Sequence, residues 1–165
     1  MALPNRVLPG FSATLYAQDT ATPTPLTIAE LSTWADVNPI AIEANIIPVE
    51  AIPAFGQDDA MANFNVAGSR QSDKIPTQAP PTSMTITAAW NPADTQLLQM
   101  RDDAYNGTID RTFVIMATDG QGNFVAYAFN GRVGQWDVDT NPTAEAKCSF
   151  TIHPRGNQYG WSNNP

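Results

Sequence analysis

Hydrophobic and polar positions alternate with a period of two through much of the chain, the pattern of strands that bury one face. Met84, Ile86, Ala88 and Trp90 alternate with Thr85, Thr87 and Ala89. Ala144, Ala146, Cys148, Phe150 and Ile152 alternate with Glu145, Lys147, Ser149 and Thr151, so Cys148 is expected on a buried face. Ile40, Ile42, Ala44 and Ile46 alternate with Ala41, Glu43 and Asn45, which predicts another half-buried strand with Glu43 and Asn45 turned outward. Further strands are expected at residues 11–18, 62–67, 111–118 and 124–129. The last two flank Asp119-Gly120-Gln121-Gly122-Asn123, a glycine-containing hairpin loop. Asn130-Gly131 resembles a bulge, after which Trp136 and Val138 face in while Gln135, Asp137 and Asp139 face out.

The period changes once with conviction. Asn91-Pro92 reads as an N-cap followed by proline at the first helical position. Leu97, Leu98, Arg101, Ala104 and Tyr105 then follow helical spacing, and Asn106-Gly107 supplies a left-handed stop. Thr27 and Glu30 form a candidate capping box opening a short helix through Trp34. The predicted architecture is mainly β: one domain over residues 1–165, an antiparallel β-sandwich or open barrel with one packed helix over about 92–106. Trp34, Trp90 and Trp136 sit in periodic positions and are expected in the core. Three segments fall outside the pattern: an extended arm at residues 1–10, a long polar loop at about 68–82, and a tail at 155–165. Trp161 on that tail reads as an exposed anchor for a partner.

Composition changes this picture in two ways. The hydrophobic fraction of 42% supports a core, yet only 15% of residues are charged. A typical domain carries about 25%, so much of the surface is expected to meet protein. Sixteen acids against eight bases give a net charge of −8. No lysine or arginine occurs between Val7 and Ser69, where Asp19, Glu30, Asp36, Glu43, Glu50, Asp58 and Asp59 lie. Such a field repels phosphate and argues against a DNA-binding role. No apolar run approaches the ~20 residues of a membrane span. Residues 1–9 lack a secretory pattern, so the chain is expected to stay in a cytoplasm until it is assembled.

Candidate chemistry is sparse. His153 is the one histidine and precedes Pro154 at a strand end, a poor setting for a catalytic base. Cys148 is the one cysteine, so neither a disulfide nor a clustered zinc site is available. The pairs Asp58-Asp59 and Asp102-Asp103 lack the spaced oxygen ligands of a calcium loop and read as solvated faces. Gly120 and Gly122 lie between two strands instead of between a strand and a helix, so they cradle no phosphate. No catalytic residue, metal or cofactor is expected, and the chain reads as non-enzymatic.

The ordered set of elements resembles the major tail tube proteins of phages with long, flexible, non-contractile tails. The resemblance covers residues 4–156. It rests on the proline-containing arm, Ala13-Thr14-Leu15-Tyr16, and the block Ser83-Met84-Thr85-Ile86-Thr87-Ala88-Ala89-Trp90-Asn91-Pro92 leading into Leu97-Leu98. It continues through residues 111–115, the hairpin, Val125 and Gly131-Arg132-Val133, and closes on Pro154-Arg155-Gly156. The resemblance implies hexameric rings stacked into a hollow tube through which DNA is ejected. Tape-measure, initiator and terminator proteins would be partners, and the virion tail the location. By position, Pro4, Arg6, Arg70, Asp73, Lys74, Arg155 and Trp161 would contact neighbouring rings. Glu43 and Asn45, with Asp137 and Asp139, would face an acidic lumen that DNA slides past without specific binding. An extra immunoglobulin-like domain, carried by many relatives, is not expected here. Two rival readings remain at this stage: a related ring-forming tube or terminator protein, and a carbohydrate-binding β-sandwich module using Trp161 and Tyr159.

Overall fold

The computed structural model describes residues 12–56, 61–64, 73–76, 81–119, 122–140, 143 and 145–162. In chain order the elements are β1 (Ser12–Ala17), α1 (Ile28–Leu31), α2 (Trp34–Val37), β2 (Ile46–Ile47), β3 (Val49–Ala51), β4 (Met61–Phe64), β5 (Asp73–Pro76), β6 (Met84–Ala89), α3 (Thr95–Asn106), β7 (Asp110–Thr118), β8 (Phe124–Asp139) and β9 (Lys147–Ser162). Seven strands form one antiparallel sheet in the order β2-β1-β7-β8-β9-β6-β3. It rolls into a nearly closed barrel, and β4 and β5 make a separate two-stranded sheet.

The roll comes from the two long strands. Gly134 pairs with Thr151 and Trp136 with Phe150, so Gln135 is an extra residue in β8 and takes a left-handed φ of 51°. Ala128 pairs with Tyr159 and Asn130 with Arg155, so β9 carries the surplus there, at Gly156 with φ of 76°. Bulges of this kind bend a strand pair and raise its twist.

One face of the sheet buries Leu15, Ile86, Phe113, Ile115, Phe129, Phe150 and Ile152 against Leu97 and Met100 of α3. Aromatic rings tie neighbouring strands on this face: Phe113 and Phe129 stack at 5.8 Å, Trp136 and Phe150 at 5.9 Å, and Trp90 meets Trp136 edge-on at 5.6 Å. The opposite face is covered only in part. Leu31, Val37 and Ile40 pack on Val114 and Ala128, joined by Tyr16, Trp34, Tyr159 and Trp161.

Local chemistry explains the element boundaries. Thr27 and Glu30 close the predicted capping box, the Thr27 N–H donating to Glu30 Oε2 at 2.7 Å. Those hydrogen bonds hold the Glu30 carboxyl below its ordinary range. The helix divides after Leu31, where the Ser32 and Thr33 hydroxyls donate back to the Ala29 carbonyl, and Thr33 takes the N-cap position of α2 with no side-chain hydrogen bond to it. For α3 the cap is Asp94, not Asn91: Asp94 Oδ1 accepts from the N–H groups of Gln96 and Leu97. Asn91 builds the turn that delivers Asp94, accepting from Ala93 N–H through its side chain and from Asp94 N–H through its carbonyl. Gly107 ends the helix at φ 66°, as its sequence position suggests. The buried stripe runs through Gln96, Leu97, Met100 and Asp103, while Tyr105 is 73% exposed.

Four expectations are corrected. Residues 40–46 do not form a strand; Asn38–Ile40 and Glu43–Asn45 are 3-10 turns, and only Ile46 and Ile47 join the sheet. The long polar loop contains β5, which pairs with β4 from Phe64↔Asp73 to Met61↔Pro76. The tail after Pro154 is the second half of β9, paired with β8 as far as Ser162. Val138, expected inside, is 39% exposed.

Candidate functional site: the open polar half of the sheet

Beyond the reach of α1 and α2, the second sheet face is open across β8, β9, β6 and β3. Strand register sets its rows. Arg132 lies opposite His153, whose Nδ1 meets Ser83 Oγ at 2.8 Å. Next come Gly134, Thr151 and Thr85, then Asp137, Ser149 and Thr87, then Asp139, Lys147 and Ala89. All are exposed or half-buried except Thr151. A Cβ on Gly134 would come within 3.2 Å of His153 Nε2, so glycine lets the imidazole lie flat across the strand.

Charge divides this face into two ends. At one, Lys147 Nζ meets Glu50 Oε1 at 2.6 Å, pinning β3 to β9. The hydrogen bond and charge of Glu50 hold the Lys147 ammonium above its ordinary range, with Glu145 and Asp139 adding to the effect. Three carboxylates thus act on one lysine, and Asp137 lines the same open depression as Lys147. At the other end, Arg132 and Arg155 share one carboxylate, Asp110, at 2.9 and 2.7 Å. The surface is thus hydroxyl-lined, with an acid excess at one edge and two guanidinium groups sharing a single carboxylate at the other.

Little here can do covalent chemistry. The Ser83–His153 contact lies on an open sheet and not in a cleft. Among the described residues no group of three or more His, Cys, Asp or Glu side chains could hold a metal ion. No helix among them is long and apolar enough to cross a membrane. Cys148 is buried, its thiol donating to the Ala88 carbonyl, and burial pushes that thiol up. Native protein should therefore resist a thiol reagent such as Ellman's, releasing about one equivalent of chromophore only after denaturation; rapid native labelling would contradict the packing.

The sequence-based site residues separate on this structure. Asp137 and Asp139 lie on the open polar face. Glu43 is exposed, but on a 3-10 turn, not on a strand face. Asn45, expected to turn outward, is buried, its Nδ2 donating to the Ile40 carbonyl at 2.9 Å, so its amide closes a turn. Arg155 stands beside Arg132 on Asp110. Trp161 is half-buried against Trp34, with ring centroids 5.4 Å apart. Asp73 and Lys74 lie in β5 opposite Phe64 and Asn63. Pro4, Arg6 and Arg70 fall outside the described residues.

One polar centre escaped sequence reasoning altogether. Asp103, expected on a solvated face, is 2% exposed and ion-paired with the fully buried Arg111 at 2.7 Å. Its position three residues after Met100, on the apolar stripe of α3, was the available signal.

No protein-family profile and no curated protein matches the chain. Solved structures do match. A chain of the anti-feeding prophage tube-terminating cap superimposes with a TM-score of 0.67 at 10% identity, covering 98% of this chain and 95% of that one. A chain of the extended sheath–tube complex of PVC, an extracellular contractile injection system, gives 0.61 at 12% identity, covering 96% and 93%. The SPP1 tail tube gives 0.53 at 11% identity, covering 94% and 77%. The chain therefore has the fold found in the SPP1 tail tube and in the tube-and-cap assemblies of contractile injection systems.

Proposed function

We propose that this chain is a tail-tube subunit: copies close into hexameric rings, the rings stack, and the open polar face lines the channel through which DNA leaves the virion. The observation that carries this reading is that face itself. One sheet face is covered in part by helices, while the rest presents Thr85, Thr87, Ser149, Asp137 and Asp139 to solvent, with an open depression among the last four. A wall of short hydroxyls and carboxylates offers a polyanion few fixed cations, Arg132 and Arg155 both being held on Asp110, and its acid excess repels phosphate. The shared fold with tube and cap components supports the same reading. Tape-measure, initiator and terminator proteins are the partners such a tube requires.

We place the tube in a long non-contractile tail, following the sequence resemblance. The higher TM-scores to contractile injection assemblies favour a second reading, a tube that works inside a sheath. Negative-stain microscopy of purified protein tests the common part: long hollow tubes are expected. Isolated monomers that bind glycans would overturn it. A sheath protein co-purifying from the native particle would move the assignment to the contractile class. The β4–β5 hairpin, a sheet of its own, is the natural contact between rings. Replacing residues 61–76 by a short Gly-Ser linker should leave folded protein that no longer makes tubes, and full-length tubes from that variant would exclude the hairpin from stacking.

A further inference from the structure

Among the described ion pairs, most cations have a carboxylate to themselves: Arg101 has Asp102, Arg111 has Asp103 and Lys147 has Glu50. One place does not balance. Arg132 and Arg155 hold the two oxygens of a single carboxylate, Asp110, at 2.9 and 2.7 Å. A positive charge is left over there, in a chain whose net charge is −8. Most N–H groups of the two guanidinium groups find no partner among the described residues. Each spends one on Asp110, and Arg132 aims another at the Thr108 carbonyl at 3.4 Å.

Strand register explains why the two arginines meet. Arg132 lies opposite Asp110 on β7 and opposite His153 on β9. Arg155 lies opposite Asn130, two residues along, and so projects from the same face. His153 stands between them in sequence and on the surface, with Ser83 Oγ on its Nδ1 and room made for its ring by Gly134. Arg132 is half-buried, and Arg155, His153 and Ser83 are exposed. Planar guanidinium donors side by side match the oxygens of a phosphate group.

The acid end of the face does not cancel this charge. Asp137 and Asp139 follow Arg132 along β8, roughly 13–20 Å away at ~3.3 Å per paired residue. That is longer than the Debye length of about 10 Å at 0.1 M salt, so the two ends act on a polyanion separately.

We propose that Arg132 and Arg155 form a contact site for the phosphate backbone of DNA, one per copy, at one end of the polar face. The inference rests on the tube reading and adds to it a band of weak attraction beside the repelling acid band. The contact is to phosphate and not to bases, so it carries no sequence preference. Repeated around a ring, it steadies a passing duplex while the acid end keeps that duplex off the wall.

The test uses the full chain as unassembled subunit at about 0.1 M salt, where the two ends are screened from each other. A short DNA duplex, inorganic phosphate and polyglutamate are the probes. Duplex titration followed by NMR should shift the resonances of Arg132, His153 and Arg155 most. Arg155→Gln should weaken duplex binding about tenfold, the worth of one charge-assisted hydrogen bond. It should also lower the slope of log K against log salt by about one. Asp110→Asn, which releases both guanidinium groups, should tighten binding. Arg101→Gln on α3 changes the net charge equally and should leave binding as in wild type; an equal loss there would overturn the local site. Phosphate binding as tightly as the duplex would make this a free-anion site, and polyglutamate binding more tightly would make it a protein contact. Either result overturns the DNA assignment. Wild-type tubes whose subunits bind no duplex would overturn the inference and leave the tube reading intact. Duplex binding at these residues by a protein that never forms tubes would overturn the tube reading instead.

Discussion

Arg111→Met is expected to remove about 3–5 kcal/mol of folding stability, the cost of breaking a buried ion pair by deleting one partner. The guanidinium is fully buried and grips Asp103 with two parallel bonds, Nε to Oδ2 at 2.7 Å and Nη2 to Oδ1 at 3.1 Å. Its Nη1 also donates to the carbonyls of Gln18 and Thr20 and to Gln99 Oε1. One side chain therefore joins α3 to the loop that follows β1. Methionine fills similar volume but satisfies none of these acceptors, so the buried Asp103 carboxylate would be left unpaired and the partly buried carbonyls of Gln18 and Thr20 would lose their donor. Asp103→Leu alone should cost a comparable amount by orphaning the arginine. The double variant should lie closer to wild type than either single, because no uncompensated charge remains. Urea unfolding of the four proteins measures this directly. If the two single losses simply add in the double variant, the pair is not coupled and the reasoning fails.

This centre also marks what the sequence makes legible. Period-two alternation located β6 and the first half of β9, because each buries one face and solvates the other, whereas β7 and the start of β8 are buried on both faces and were marked by the glycine-containing loop between them. The same signal failed at residues 40–46. Pro39 starts a 3-10 turn there, Ile42 is left 48% exposed, and the Asn45 amide bonds back to Ile40. Alternating isoleucines are satisfied by successive tight turns as well as by a strand, and proline on both sides tips the balance. The second half of β9 was missed for the opposite reason. Gly156, Asn157 and Gln158 form the bulge and have no strand propensity of their own, and residues 159–162 beyond them are held extended by their pairing with β8.

At the site, Asp137 and Asp139 were legible as outward charges on an alternating strand. Their electrostatic setting was not. Lys147 finds Glu50 across 97 residues of sequence, and Arg132 and Arg155 converge on Asp110 from 22 and 45 residues away. Pairing at such separations is set by strand order, which no local pattern encodes. The net acid excess was visible in the composition, but its concentration around Lys147, where Glu50 of β3 reaches across β6 to β9, follows only from topology.

Trp161→Ala should lower the stability of the isolated subunit by about 3 kcal/mol, at the low end for a tryptophan truncation because the ring is half-buried. Trp161 packs on Trp34, which in turn stacks on Phe124 at 5.6 Å, and both belong to the cluster that holds α1 and α2 on the sheet. At this chain length that loss corresponds to a fall in Tm of roughly 6–12 °C. Ending the chain at Arg155 should be more severe. It strips β8 of its partner from Val125 to Ala128 and removes Tyr159 with Trp161, so no cooperatively folded subunit is expected. The distinction bears on function. Were Trp161 chiefly a contact between rings, its alanine variant would melt like wild type and fail only in assembly. The geometry predicts the reverse order of events: the α1–α2 layer loosens first, near-UV circular dichroism of the tryptophans falls in the monomer, and any assembly defect follows from that loosening. A Trp161→Phe variant, which keeps an aromatic face toward Trp34, should recover most of the stability; recovery of assembly without recovery of the monomer's Tm would return Trp161 to the inter-ring contact.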